Sequence, residues 1–146
     1  MSHLDKTKVI EEALTWLGTP YHHQARVKGV GTDCAQLVAG VAEVVGVLSK
    51  GLGITGYSPE WHLHNSEEKM LGMLEEFGCT EAESLEPGDI ICFKFGKVCS
   101  HLGIYLGQEQ FIHARIDQGK VVINSLSGDW LKRHTKTYSF PLEKLR

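Results

Sequence analysis

The hydrophobic pattern of this chain changes period once, and that change limits the folds open to it. Up to Phe77 the apolar residues recur at intervals of three and four, the spacing of helices with one buried face. Val9, Ile10, Ala13, Leu14 and Leu17 make one such stripe, and Leu37, Val38, Val41, Ala42 and Val45 a second. Met70, Leu71, Leu74 and Phe77 make a third. Asp5 or Thr7 can cap the first helix, and Gly18-Thr19-Pro20 stops it. The second runs to about Val45, before Gly46, and the third from Ser66 to Phe77. From Ile90 onward the pattern is short apolar runs between turn residues: Ile90–Phe93, His101–Leu106, Gln110–Ala114 and Val121–Ile123. A short helix at Trp130–Lys132 and a last strand at Tyr138–Phe140 complete the chain. Helices first and strands later predict an α+β domain, with N-terminal helices packed on a C-terminal antiparallel sheet. Its 146 residues suffice for one core, so 1–146 reads as a single domain.

Charge and composition exclude several classes of partner. A net charge of -3 with no basic run gives no nucleic-acid or anionic-membrane surface. The N-terminus lacks the apolar core of a secretory signal, and no apolar run reaches transmembrane length, so no membrane anchor is expected. The expectation is a soluble chain made in the cytosol. None of the four cysteines, at 34, 79, 92 and 99, forms a Cys-x-x-Cys pair, so neither a zinc site nor any other cofactor is expected.

Cys34 differs from the other three cysteines because a helix starts behind it. Lys28-Gly29-Val30-Gly31 reads as a flexible loop, and Gly31-Thr32-Asp33 leads from it straight into Cys34 and the second apolar stripe. The dipole and unpaired N–H groups of a helix start favour thiolate over thiol, which turns a weak nucleophile into a strong one. The other reading is an ordinary packed cysteine. A nucleophile needs a base, and there are eight histidines. Two of them, His101 and His113, lie in predicted strands with only the Gly107-Gln108-Glu109 hairpin between them. Antiparallel neighbours bring such rings together if both face one side. Cys34, His101 and His113 then make a Cys–His–polar triad, with His113 orienting His101. Tyr57 to His64, which holds Pro59 and Trp61, reads as an ordered loop; Trp61 either lines a groove or folds onto the core.

These segments, taken in order, resemble the NlpC-type cell-wall peptidases, which are papain-like cysteine hydrolases. The resemblance rests on Gly18-Thr19-Pro20-Tyr21, Asp33-Cys34, Pro87-Gly88-Asp89, His101-Leu102-Gly103-Ile104-Tyr105 and Phe111-Ile112-His113-Ala114. The run from Tyr21 to Gly31 is similar to the phage-type branch, found in tail and gene-transfer-agent proteins. The resemblance implies cleavage of peptidoglycan stem peptides, commonly between γ-D-glutamate and a diamino acid. It implies attack by Cys34, protonation of the leaving amine by His101, and orientation of His101 by His113. The Cys34 N–H and the Tyr21 hydroxyl would hold the oxyanion. Asp33, Gln36, His23, Trp61 and Ser100 are the further candidates for contact with substrate. The implied setting is a tail or virion acting on the cell wall. The sequence departs from the family at Ala35-Gln36, where most members carry Ser-Gly and the serine helps hold the substrate's polar end. Gln36 could offer an amide instead or face away on the helix. Rival readings are a thiol acyltransferase or amidase on the same scaffold, a non-catalytic tail module, and a Cys/His metal site.

Overall fold

The computed structural model describes residues 2–47 and 67–141. Helix α1 (Ser2–Leu14) is followed by a small hairpin of β1 (Arg26–Val27) and β2 (Gly31–Thr32), then α2 (Cys34–Val44) and α3 (Glu67–Glu76). The rest is β3 (Thr80–Glu81), β4 (Ile90–Phe95), β5 (Val98–Gly107), β6 (Gln110–Arg115), β7 (Lys120–Ser125), α4 (Gly128–Arg133) and β8 (His134–Ser139). Six strands form one antiparallel sheet in the order β3-β8-β4-β5-β6-β7. This is the α+β arrangement that the change of period predicts.

The central strands β4, β5 and β6 are apolar on both sides because the sheet is covered twice there. Ile90, Cys92, Cys99, Leu102, Ile104, Ile112 and Ala114 pack with α1, α2 and α3 in the main core. The alternate residues Ile91, Phe93 and Phe111 pack with Leu126, Phe95, Tyr105 and Trp130 on the other side. Double coverage explains why these strands show near-continuous apolar runs instead of alternation. Helix α2 is buried along nearly its whole length. A side chain at Gly40 would stand 2.4 Å from the Trp16 ring, so glycine lets the indole lie flat on α2.

Two details differ from the sequence reading. The inward face of the first helical segment is Val9, Ala13 and Trp16, while Leu14 and Leu17 are exposed. The reason is that α1 ends at Leu14, and residues 15–17 tighten into three-residue turns that rotate Trp16 inward. The stretch Lys28–Gly31, read as a flexible loop, belongs instead to the β1–β2 hairpin.

The Pro87-Gly88-Asp89 turn acts as a latch. The Asp89 carboxylate accepts from the Glu86 N–H at 2.9 Å and from the Ser139 hydroxyl at 2.9 Å, and lies 3.3 Å from the Lys6 ammonium. One buried carboxylate thereby joins α1, the turn before β4 and the end of β8.

Candidate active site

The loop that delivers Cys34 is strapped between two strands. Along the outer side of β7, the Gly18 N–H donates to Val121 C=O, Val121 N–H to Thr19 C=O, and Tyr21 N–H to Gly119 C=O. On its other side the same segment receives the Thr32 N–H at Pro20 C=O, and His22 N–H donates to Thr32 C=O. Thr32 is followed by Asp33, which caps α2 with an extended backbone and accepts the Gln36 N–H at 2.9 Å. The other Asp33 oxygen accepts the Gln24 N–H at 2.7 Å, with His23 Nδ1 3.7 Å away. Gln24 stands at φ 66, a conformation that costs a non-glycine residue about 1 kcal/mol, and the bond to a buried carboxylate offsets it.

Cys34 opens α2 and is 5% exposed. Its sulfur is within hydrogen-bond reach of the Leu102 N–H of β5 and the Ala35 N–H of its own helix, and both favour thiolate. Burial and the Asp33 carboxylate outweigh them and push the thiol's pKa up. The expected preference for thiolate is therefore present in the local N–H groups but is overridden, and the free protein holds a neutral thiol. Burial also raises the pKa of the Tyr21 hydroxyl, and the electrostatic influence of Cys34 and Asp33 adds to it, which places Tyr21 beside the nucleophile.

Ser100 is the extra residue of a bulge. Phe93 pairs with His101 and Lys94 with Cys99, so Ser100 has no opposite number in β4. A bulge re-aims the side chains around it. Cys99 and Leu102 both reach the main core, while the His101 ring turns to the second face. There it lies 5.9 Å from Phe93 and 5.7 Å from Trp130, centroid to centroid.

On that face the two histidines form a relay. His101 Nε2 is 2.7 Å from His113 Nδ1, and His113 Nε2 is 2.6 Å from Asn124 Oδ1. Burial lowers the pKa of both rings, that of His113 to about 4, so each carries one N–H at neutral pH. An amide oxygen can only accept. His113 must then donate from Nε2 and accept at Nδ1, and His101 must donate from Nε2. His101 Nδ1 is left with its lone pair free, as a base requires.

The structure thus gathers the sequence-predicted residues into two groups that meet at β5. Cys34, Asp33, Tyr21 and His23 stand on the helix side, and His101 and His113 on the Phe93 side. The thiol is held at the N–H of the residue next to His101. The Gln36 oxygen accepts the Arg26 Nε–H at 2.8 Å, bracing β1 against α2. Trp61 lies outside the described residues. Among the described residues no three His, Cys, Asp or Glu side chains cluster as a metal site. No helix among them is long and apolar enough to cross a membrane.

Three site residues escaped sequence reasoning. Asn124 lies opposite Phe111 and next but one to Val122, which faces His113, so the alternation of β7 could have placed it on the relay's face. Trp130 covers both rings, 4.9 Å from His113, and nothing in the sequence tells which sheet face α4 covers. Arg115 follows His113 by two residues on the same strand face, and its charge opposes protonation of both histidines.

The model of the NlpC/P60 family matches residues 18–139. Among curated proteins the chain is 31% identical over 126 residues to the gamma-DL-glutamyl hydrolase of Bacillus subtilis, covering 85% of this chain and 26% of that protein. It is 33% identical over 63 residues to the murein DD-endopeptidase MepS/murein LD-carboxypeptidase of Escherichia coli, covering 42% of this chain and 34% of that protein. The chain therefore spans about a quarter to a third of the length of these relatives. Of solved structures, the NlpC/p60 domain of the peptidoglycan hydrolase SagA superposes with a TM-score of 0.61 at 20% identity, over 92% of this chain and 98% of that one. RipD of Mycobacterium tuberculosis, a non-catalytic NlpC/p60 domain protein, superposes with a TM-score of 0.58 at 16% identity, over 92% and 95%.

Proposed function

Since this chain belongs to the NlpC/P60 family, we propose that it is a cysteine hydrolase that cuts amide bonds of peptidoglycan stem peptides, between γ-D-glutamate and a diamino acid. The observation that carries the reading is the buried relay His101–His113–Asn124, which leaves a basic nitrogen on the residue next to the N–H that holds the Cys34 thiol.

In this reading His101 Nδ1 takes the thiol proton as Cys34 sulfur attacks the scissile carbonyl. The carbonyl π electrons move to oxygen, and the Cys34 N–H at the start of α2, with the Tyr21 hydroxyl, stabilises that oxyanion. His101 then gives its proton to the leaving amine as the C–N bond breaks, and a thioester remains on Cys34. Water adds to the thioester with His101 as base, and the acid product leaves as the thiol re-forms. Neutral thiol and neutral imidazole suit this sequence, because the charged pair forms only when substrate displaces water and supplies a carbonyl to attack. His113 transfers no proton to substrate; it fixes the tautomer of His101. The phage-type run from Tyr21 to Gly31 supports a tail-associated protein acting on the cell wall, with tail proteins as partners.

The test is incubation of purified protein with defined stem peptides and peptidoglycan fragments, with products read by mass spectrometry. Fragments cut at the γ-glutamyl bond by the wild type and not by Cys34→Ser are expected. Tight binding of the peptides without turnover would replace this reading with a non-catalytic one.

A further inference from the structure

Arg115 stands next to the relay and is used by nothing in the mechanism. It follows His113 by two residues in β6 and projects from the same face. Its guanidinium lies 5.0 Å from the Trp130 ring centroid and 5.5 Å from that of Phe95. The Trp130 ring is itself 5.7 Å from His101 and 4.9 Å from His113. One indole is thus the common wall of the two imidazoles and the cation, and a planar guanidinium stacked on aromatic faces has little freedom to swing.

The hydrogen bonds of Arg115 occupy only one of its edges. Nε donates to Asp117 Oδ1 at 2.8 Å and Nη2 to Asp117 Oδ2 at 2.7 Å, a bidentate pair. Among the described residues Nη1 has no hydrogen-bond partner. The side chain is 23% exposed, so a bound molecule can reach it. Asp117 therefore acts as an orienting partner. It holds the fork by two of its nitrogens and presents the third.

We infer that Arg115 is the specificity-determining residue of the site and receives a carboxylate of the substrate on its Nη1 edge, beside the scissile amide. The inference rests on the hydrolase reading above and names the chemistry that the substrate must carry. A stem peptide has two such groups next to the cut. A γ-linked glutamate keeps its α-carboxylate free, and the diamino acid carries carboxylates of its own. Both are planar anions that a guanidinium edge recognises by a charge-assisted hydrogen bond. The same pocket would reject the carboxamide forms of these groups, which carry no charge and bring an N–H₂ toward a donor.

The test uses four versions of one stem peptide: both groups free, the glutamate carboxyl amidated, the diamino-acid carboxyl amidated, and both amidated. Wild type, Arg115→Gln and Arg115→Lys are compared by kcat and KM, with thermal midpoints taken on the same samples. The wild type should cut the peptide with the recognised carboxylate about ten- to a hundredfold better in kcat/KM than its amide, the range of a hydrogen bond to a charged group. Which single amidation causes the loss tells which carboxylate is bound. Arg115→Gln should bring the acid peptide down to the level of its amide, chiefly through KM, and Arg115→Lys should restore part of the difference. An acid-to-amide ratio unchanged in Arg115→Gln overturns the inference. So does a loss of equal size on all four peptides, which would mark Arg115 as a support for the histidines. A wild type that cuts none of them overturns the hydrolase reading and this inference with it.

Discussion

Replacing Asn124 by leucine tests the relay at the point farthest from the chemistry. In the wild type, the Asn124 oxygen 2.6 Å from His113 Nε2 makes one tautomer of each ring the satisfied one. Leucine is close in size and removes the acceptor. His113 is fully buried, so an Nε2–H pointed at leucine would be a buried donor with no partner, which costs about 1–3 kcal/mol. The chain escapes that cost by moving the His113 proton to Nδ1. His101 must then accept at Nε2 and carry its own proton on Nδ1, the nitrogen that the mechanism needs bare. At about 1.4 kcal/mol per factor of ten, the productive tautomer falls to between about one sixth and just under one hundredth of the molecules. Turnover of Asn124→Leu should therefore fall roughly five- to 150-fold, with KM little changed. Nitrogen-15 shifts of the two imidazoles read the tautomers directly, and the rate of Cys34 alkylation gives a readout independent of substrate. Asn124→Leu with wild-type turnover and wild-type imidazole shifts would refute the reasoning, even if its thermal midpoint dropped.

Cys34→Ser should abolish hydrolysis and leave the fold intact, whereas Cys79, Cys92 and Cys99 should each be replaceable by alanine without loss of turnover per folded molecule; faster iodoacetamide labelling of Cys92 than of Cys34 would contradict this. His101→Asn should lose nearly all activity and His113→Asn only part, because a side-chain oxygen can still accept from His101; equal loss would remove the division of roles. Stability should fall on acidification, because the His113 pKa is depressed to about 4 from an unfolded value near 6.5. The unfolded state then binds the extra proton, so the penalty is absent above about pH 6.5, grows as pH falls, and saturates below about pH 4 at order 3 kcal/mol. Thermal melts between pH 4 and 8 should show it, and His113→Asn should flatten the slope. EDTA should leave turnover unchanged, since a thiol nucleophile needs no metal-bound water; loss restored by zinc would favour a metal mechanism.

The sequence carried most of the fold because its period is a direct trace of burial. The stripe from Leu37 to Val45 and the runs at Ile90 and Phe111 are consequences of which faces are covered, and the covering layers follow. It did not carry the tail of the first helical segment, because only the turn geometry after Leu14 sends Trp16 inward. At the site, local signals were legible: a cap before Cys34, and two histidines flanking a hairpin. Which faces these side chains use was not. The bulge at Ser100 breaks the alternation on which any such reading depends: it returns Cys99 to the main core, although Cys99 stands only two residues from His101 on the opposite face. Trp130 and Arg115 became visible only when α4 was laid over that face. The thiol's protonation was also hidden, since the helix start argues for thiolate and only burial beside Asp33 reverses it.

The strap at residues 18–22 also affects the solubility of the protein. An open sheet has two outer strands whose unpaired N–H and C=O groups can template the addition of another chain. One end of this sheet is β3, only two residues long. The other is β7, six residues long, whose beginning is covered by the bonds of Gly18 and Thr19 to Val121 and, just before the strand, of Tyr21 to Gly119. The segment that seats Tyr21 beside the nucleophile thus also covers the start of that outer strand. A change that loosens it, such as a charged residue at the buried Thr19, would expose that edge in the same step that displaces the tyrosine. Selection against aggregation would then preserve this part of the site even in a descendant that had lost its nucleophile.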